Sequence, residues 1–380
     1  MINGDRGKNY PSQADIVPVG EVPFVNAGHL NGRSICFTNM NYISQEKYNE
    51  LSSGKFRSGD ILYCLRGSLG KKALVKEDIF GAVASSLVII RPNCEQVIAD
   101  YLMFALDSPG IHEQLTRANN GSSQPNLSAA SVRGYEIDLP DKETQKRIVT
   151  LLSILSLIID AYNKELEWLD DLIKARFVEM FGDPETGKCI FQTDRLGNLA
   201  KRISDGVHAK PVYTETGKPF LSVVNINKGT VDFTDCKYVS EEAYQKMIKS
   251  THPQKGDILY TKVGATYGIP AYVDTDKDFC LYVSVCLIKP IHERINARFL
   301  ALQMAMPSIK HQADARIKGI GVPDLHLNQI SEFSIICPPR ELQDTFVDFV
   351  EHVDKSKVVV QKALDEAKLL FESLMQKYFG

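Results

Sequence analysis

At 380 residues and 44% hydrophobic content the chain holds enough apolar material for two cored domains, which excludes a disordered or fibrous polypeptide. Its longest apolar run, Ile148 to Ile159, is broken by Thr150, Ser153 and Ser156 and falls short of the ~20 residues a bilayer span needs. The polar start Ile2 to Tyr10 has no secretory signature, so a cytoplasmic protein without a membrane segment is expected, and the net charge of −3 excludes nucleic-acid binding through overall basicity alone.

In chain order, residues 1–140 open abruptly at Ile2-Asn3-Gly4-Asp5 and alternate β-rich runs (Asp60 to Leu65, Ala82 to Ile90) with turn signals and a helix at Ala99 to Leu106. That mixture predicts an α+β domain. Residues 141–182 then run without Pro or Gly until Gly182, with apolar side chains at alternating spacings of four and three. One set of heptad positions is Ile148, Leu155, Tyr162, Leu169 and Arg176, and the other Leu152, Ile159, Leu166, Ile173 and Met180. This is a long amphipathic helix, opened by Pro140 and closed by Gly182 and Pro184.

Residues 183–338 repeat the first domain. Gly59-Asp60-Ile61-Leu62-Tyr63 recurs as Gly256-Asp257-Ile258-Leu259-Tyr260, Tyr42, Ser44 and Tyr48 as Tyr238, Ser240 and Tyr244, Pro23-Phe24 as Pro219-Phe220, and Leu127 as Leu325. A period of about 197 residues is far beyond a solenoid unit and signifies duplication of a whole domain-plus-helix module. The second copy has a lead-in, Phe191 to Ala200, that the first lacks; its own β-rich runs are Asp257 to Val263 and Phe279 to Ile288, followed by a helix at Ala297 to Met306. Residues 339–380, started by Pro339, form the second long helix, with Phe346, Val353, Val360, Ala367 and Leu374 in one set and Val350, Lys357, Leu364, Phe371 and Tyr378 in the other.

A 38-residue helix is a rod of roughly 57 Å that cannot bury its own stripe. The simplest solution is an antiparallel intramolecular coiled coil of the two helices, relating two globular units by pseudo-twofold symmetry. Leu152, Leu155, Ile159, Leu166, Val353, Val360, Leu364 and Phe371 are the expected packing residues. Arg176 and Lys357 interrupt the stripe and are expected near an end or beside a gap.

Within the repeated frame the loops diverge. Arg66-Gly67-Ser68-Leu69-Gly70-Lys71-Lys72 stands opposite Val263-Gly264-Ala265-Thr266-Tyr267-Gly268, and Arg117 to Gln124 opposite Ala315 to Val322. Loops on a rigid scaffold carry specificity, so two different targets are expected. The helical segments 141–183 and 339–380 carry 12 basic and 17 acidic residues, a net of −5 that leaves +2 on the rest of a chain totalling −3. Arg66, Lys71, Lys72, Arg117, Lys262, Arg316 and Lys318 suit phosphates or guanine edges, Asn119, Asn120 and Gln124 suit adenine edges, and Tyr267 joins them as a loop candidate.

No phosphate-binding loop, dinucleotide fingerprint, zinc-protease motif or adenine-methylation tetrapeptide occurs, so no catalytic or metal site is expected. Asp60 and Asp257 read as turn residues ahead of a strand. The eight cysteines form no C-x-x-C pair and read as reduced thiols; His29, His208 and His311 read as surface or polar-network residues.

The two GDILY units, Gly121 to Ser128 ahead of Leu139-Pro140, the segment Leu172 to Phe177, and the closing Met180-Phe181-Gly182 and Tyr378-Phe379-Gly380 occur in an order that resembles the specificity subunits of type I restriction-modification systems. The resemblance covers essentially the whole chain. It implies two target-recognition domains that each read half of a bipartite, asymmetric site on double-stranded DNA. It also implies partners: two methylation subunits that use S-adenosylmethionine, and restriction subunits that need ATP and magnesium. None of those cofactors is expected on this chain. The short first unit and the Gly319 to Leu325 version of the second loop depart from the family's pattern. The alternative is a duplicated coiled-coil adaptor that binds only proteins, and it would show no salt-dependent affinity for duplex DNA.

Overall fold

The computed structural model describes residues 1–76, 79–118, 126–226, 228–317 and 321–380. The chain divides into two compact units, Met1–Lys164 with Gln361–Gly380, and Glu165–Val360. The two long helices, Lys142–Phe181 and Arg340–Phe379, are each divided between the units.

In the first unit, Ile61–Cys64 lies inside a four-stranded antiparallel sheet in the order Ile2–Asn3, Leu87–Ile90, Ile61–Cys64, Lys72–Leu74. Alternation along this central strand divides its side chains between two cores. Ile61 and Tyr63 pack with Leu102, Met103 and Ile111, while Leu62 and Cys64 pack with Val25, Leu30 and Val83. Both faces are covered, which explains an unbroken apolar run in place of apolar-polar alternation. A second sheet runs Tyr42–Ile43, Val22–Val25, Gly81–Val83, Lys55–Phe56, its Val22–Val25 and Gly81–Val83 strands parallel.

The second unit repeats this plan: Ala200–Asp205, Val285–Pro290, Ile258–Thr261, Pro270–Tyr272 form the first sheet, and Lys237–Val239, Lys218–Leu221, Cys280–Leu281 the other. The β-rich runs 82–90 and 279–288 are each two strands in different sheets. A tight turn separates them, closed by Leu87 N donating to Ala84 O (2.9 Å) and by Val285 N donating to Tyr282 O (3.0 Å). The lead-in of the second copy is also structured, because Thr193–Arg195 pairs with Ser334–Ile336.

The GDILY turn needs its glycine: Gly59 and Gly256 adopt φ of 82° and 92°, a region costly for other residues. The aspartate that follows caps the turn as expected, Asp60 Oδ2 accepting from Arg57 N at 2.9 Å and Asp257 Oδ2 from Gln254 N at 2.8 Å. Each also holds a cation from the neighbouring strand. Arg91 reaches both carboxylate oxygens of Asp60 at 2.7 Å, and Lys289 reaches Asp257 at 2.5 Å.

A buried glutamine anchors the start of each long helix. Gln145 Oε1 accepts from Ile98 N and its amide donates to Gln96 O and Pro140 O; Gln343 Oε1 accepts from Asn296 N and its amide donates to Pro338 O. Gly182, at φ 84°, ends the first helix where any Cβ would stand 2.1 Å from Lys188 O.

Helix segments pair antiparallel within each unit. In the first, Ile148 and Leu152 pack with Met375, Phe371 and Leu374 beneath Tyr101 and Phe104. In the second, Phe177 and Phe181 meet Phe346 at 5.5 Å between ring centroids and also contact Phe299, while Asp170 pairs with Lys357, so partner numbers fall as helix numbers rise. Leu152, Leu155, Val353, Val360 and Leu364 are buried, and Ile159, Leu166 and Phe371 half-buried. Lys357 lies mid-helix and not at an end: its ammonium bonds Asp170 of the other helix at 2.5 Å, a solution open to a flexible cation beside a carboxylate. Arg176 pairs with Glu179 at 2.7 Å and rests over Phe349.

Candidate nucleic-acid interface

The divergent loops spring from one place in each frame. After the central strand, Arg66 makes a bridge with Asn126, and Leu127 N donates to Leu65 O at 2.8 Å. In the second unit Val263 makes the same bridge with Asp324, and Leu325 N donates to Lys262 O at 2.9 Å. Leu127 and Leu325, equivalent in the repeat, thus tie the chain that follows each second loop to the end of its central strand by backbone pairing.

The candidate residues divide by environment. Arg66 is exposed and lines a concavity of about 380 Å³ with Asn3, Arg6, Asn126, Leu127, Ser128 and Ala129. Lys71 is half-buried and donates to Ala27 O at 3.1 Å. Arg117 is exposed at the end of the helix Pro109–Ala118 and pairs with Glu113 at 3.2 Å. Asn119, Asn120, Gln124 and Lys318 lie outside the described residues.

Two lysines read as loop cations are internal. Lys72 begins a buried strand, is only 6% exposed and is ion-paired with Asp107, a carboxylate that also receives Arg33 at 3.6 Å. Lys262, likewise 6% exposed, stands 3.5 Å from both Asp205 and Asp324. Burying an ammonium is tolerable only beside such partners, so these lysines shape the loop bases without presenting charge to solvent.

Arg316 and Tyr267 are held by their own domain. The Arg316 guanidinium donates to Gln312 O (2.7 Å) and Glu332 O (3.1 Å) and covers Phe333. Tyr267 donates to Asp314 beneath the Lys310 ammonium, 3.8 Å from its ring centre. Hydrogen bonds from Lys310, and then from Tyr267, hold the Asp314 carboxyl below the usual carboxylate range. This triad stiffens the loop 263–268 against the helix Pro307–Asp314.

Arg6 and Asn3 were missed as candidates because nothing local marks them; pairing of Ile2–Asn3 with the strand Leu87–Ile90 brings them beside Arg66. His208 is exposed, 3.6 Å from Asp205, while His29 is buried in a polar network, its Nδ1 accepting from Asn26 N at 3.1 Å. Among the described residues no group of three or more His, Cys, Asp or Glu is placed to hold a metal ion, and no helix is long and apolar enough to cross a membrane.

The two units thus share one frame and differ in the side chains at the ends of its central strand, Arg66 and Asn126 in one and Val263 and Asp324 in the other. The sequence matches the family described as the type I restriction modification DNA specificity domain over residues 2–169 and again over 202–367, and the chain belongs to that family. It is 23% identical over 383 residues to the type I restriction enzyme MjaIX specificity subunit of Methanocaldococcus jannaschii, spanning 94% of this chain and 86% of that one. It is 20% identical over 404 residues to the EcoKI specificity subunit of Escherichia coli K12, spanning 98% and 85%. The fold is that of the type I restriction-modification S subunit from M. genitalium, with a TM-score of 0.55 at 16% identity over 100% of this chain and 92% of that one. A chain from a structure on complex assembly and conformational transition of the type I R-M system superposes with a TM-score of 0.58 at 20% identity, over 94% and 91%.

Proposed function

We propose that the chain is the non-catalytic specificity subunit of a type I restriction-modification complex and reads a bipartite, asymmetric DNA site, one half with each unit. The observation that carries this reading is the pairing of a repeated frame with unrepeated loops: Arg66 and Asn126 occupy in one unit the places that Val263 and Asp324 hold in the other. Identical frames would approach duplex DNA alike, and unlike loop side chains would then select different bases.

The long helices serve as spacer and as docking surface. Forty residues at 1.5 Å each give about 60 Å of helix, against ~34 Å for one turn of duplex. Both helices keep apolar side chains uncovered, among them Ile154, Leu157, Trp168 (68% exposed), Val358, Val359 and Leu369. Exposed apolar side chains on each helix are where protein partners would dock. On this reading the methylation subunits, which bring S-adenosylmethionine, dock here, and the ATP-dependent restriction subunits join through them.

A four-residue insertion beside Asp170 lengthens the first helix by roughly 6 Å. The preferred spacer between half-sites should change while both half-sites persist. An unaltered spacer preference would remove the helices from the role of ruler.

A further inference from the structure

The positions that line the concavity beside Arg66 have counterparts by register in the second unit, and the two sets differ in charge: arginines without a carboxylate partner in one, carboxylates about a buried lysine in the other. Asn3 pairs with Val88, which pairs with Tyr63 of the central strand; Asp205 pairs with Cys286, which pairs with Tyr260, the repeat partner of Tyr63. Asn3 and Asp205 are therefore equivalent positions, as are Arg66 and Val263, and Asn126 and Asp324. Three residues on from each first strand stand Arg6 and His208.

In the first unit this place holds two exposed guanidinium groups and, among the described residues, no carboxylate in its wall. Arg6 donates to Ser85 O at 3.2 Å and keeps its remaining N–H groups for other acceptors, and among the described residues neither arginine is ion-paired. In the second unit the same place holds the carboxylates Asp205 and Asp324 about Lys262, with His208 alongside.

Phosphates face both halves of any site, and a phosphate seat would have to be basic in both units. A position whose charge inverts between equivalent frames follows the bases instead. Paired arginine donors match the O6 and N7 acceptors of guanine in the major groove, which no other base presents together. We infer that Arg66, supported by Arg6, reads a guanine in the half-site of the first unit. The inference rests on the DNA-reading role proposed above and names the base that one position selects.

The test uses the full chain in complex with its methylation subunits. The methylated motif is mapped first, and binding is then measured to duplexes carrying 7-deazaguanine, which lacks N7, at each guanine of the motif in turn. For the wild-type complex one substitution in one half-site should weaken binding by roughly 5- to 150-fold. R66A should show a comparable loss on the unmodified duplex and no additional loss on the modified one, and R6A a smaller loss with the same pattern. Continued discrimination at the other half-site by both variants shows that they are folded. A uniform loss on cognate and non-cognate duplexes, with a salt slope shallower by about one, would make these residues phosphate contacts and overturn the inference. So would binding by R66A equal to wild type, or a motif without guanine in the half-site that the first unit reads. A wild-type complex that binds every 7-deazaguanine duplex like the unmodified one would overturn it too, whereas one that binds cognate and non-cognate duplexes alike would remove the DNA-reading role itself.

Discussion

Replacing Phe177 by alanine should unfold the second unit far more easily than replacing it by methionine. Phe177 is 1% exposed and its ring meets those of Phe181, Phe299 and Phe346 at centroid distances of 5.1, 6.2 and 5.5 Å, joining both long helices to the helix Ala297–Met304. Truncating a buried phenylalanine costs about 3–5 kcal/mol, and loss of three aromatic neighbours places this site near 4 kcal/mol. With a urea dependence of about 2.5 kcal/mol per molar for a unit of this size, the midpoint should fall by roughly 1.6 M. The first unit uses Met375 at the corresponding helix position, among Tyr101, Ile148 and Phe379, so F177M conserves a packing the frame already accepts and should cost less than about 1.5 kcal/mol. Urea titration followed by circular dichroism at 222 nm measures both. A midpoint shift below about 0.4 M for F177A, or equal shifts for the two variants, would refute the aromatic cluster as the joint.

Asp60→Asn should destabilise the first unit by about 2–3 kcal/mol in the same assay, less than a fully buried pair would cost because Arg91 is a third exposed; a change under 0.5 kcal/mol would reduce Asp60 to a turn residue. Gln343→Leu leaves the Asn296 N–H without its acceptor and should cost about 1–3 kcal/mol despite the similar volume, whereas a neutral or stabilising result would contradict the anchoring role. Asp5 accepts from Gly7 N, Ser52 N and Ser52 Oγ at 2.8 Å, and the Gly7 hydrogen bond first of all holds its carboxyl below the usual carboxylate range. Its contribution is therefore full above an unfolded value of about 3.9 and disappears as pH falls through the lower folded value. The stability gap between wild type and Asp5→Asn should shrink from pH 6 to pH 3, and a gap that is constant or widens would contradict it.

The parts of this fold legible in the sequence are those that local spacing determines. Residues 141–182 and 339–380 announce helices through their heptads, and Ile61 to Tyr63 a buried strand, because helix and strand periodicity are properties of near neighbours. The crossings at Ala84 to Ser86 and Tyr282 to Ser284 were not legible, since an apolar run reads the same whether its residues serve one sheet or two. The site was less legible than the fold. Lys71 and Lys72 are adjacent and alike in type, yet the strand starting at Lys72 carries that side chain inward to Asp107, 35 positions away in sequence. Arg6 joins Arg66 only through strand pairing, and Lys262 is neutralised by Asp205 and Asp324 on separate segments. Burial and pairing of charge depend on such distant partners.

The central claim, that each unit reads its own half of one DNA site, is tested most directly by mapping the methylated motif in cells before and after exchange of residues 263–268 for the corresponding loop of a relative with another specificity. The account predicts that one half-site changes while the other half-site and the spacer stay as they were. A motif altered in both halves, or in neither, would contradict it.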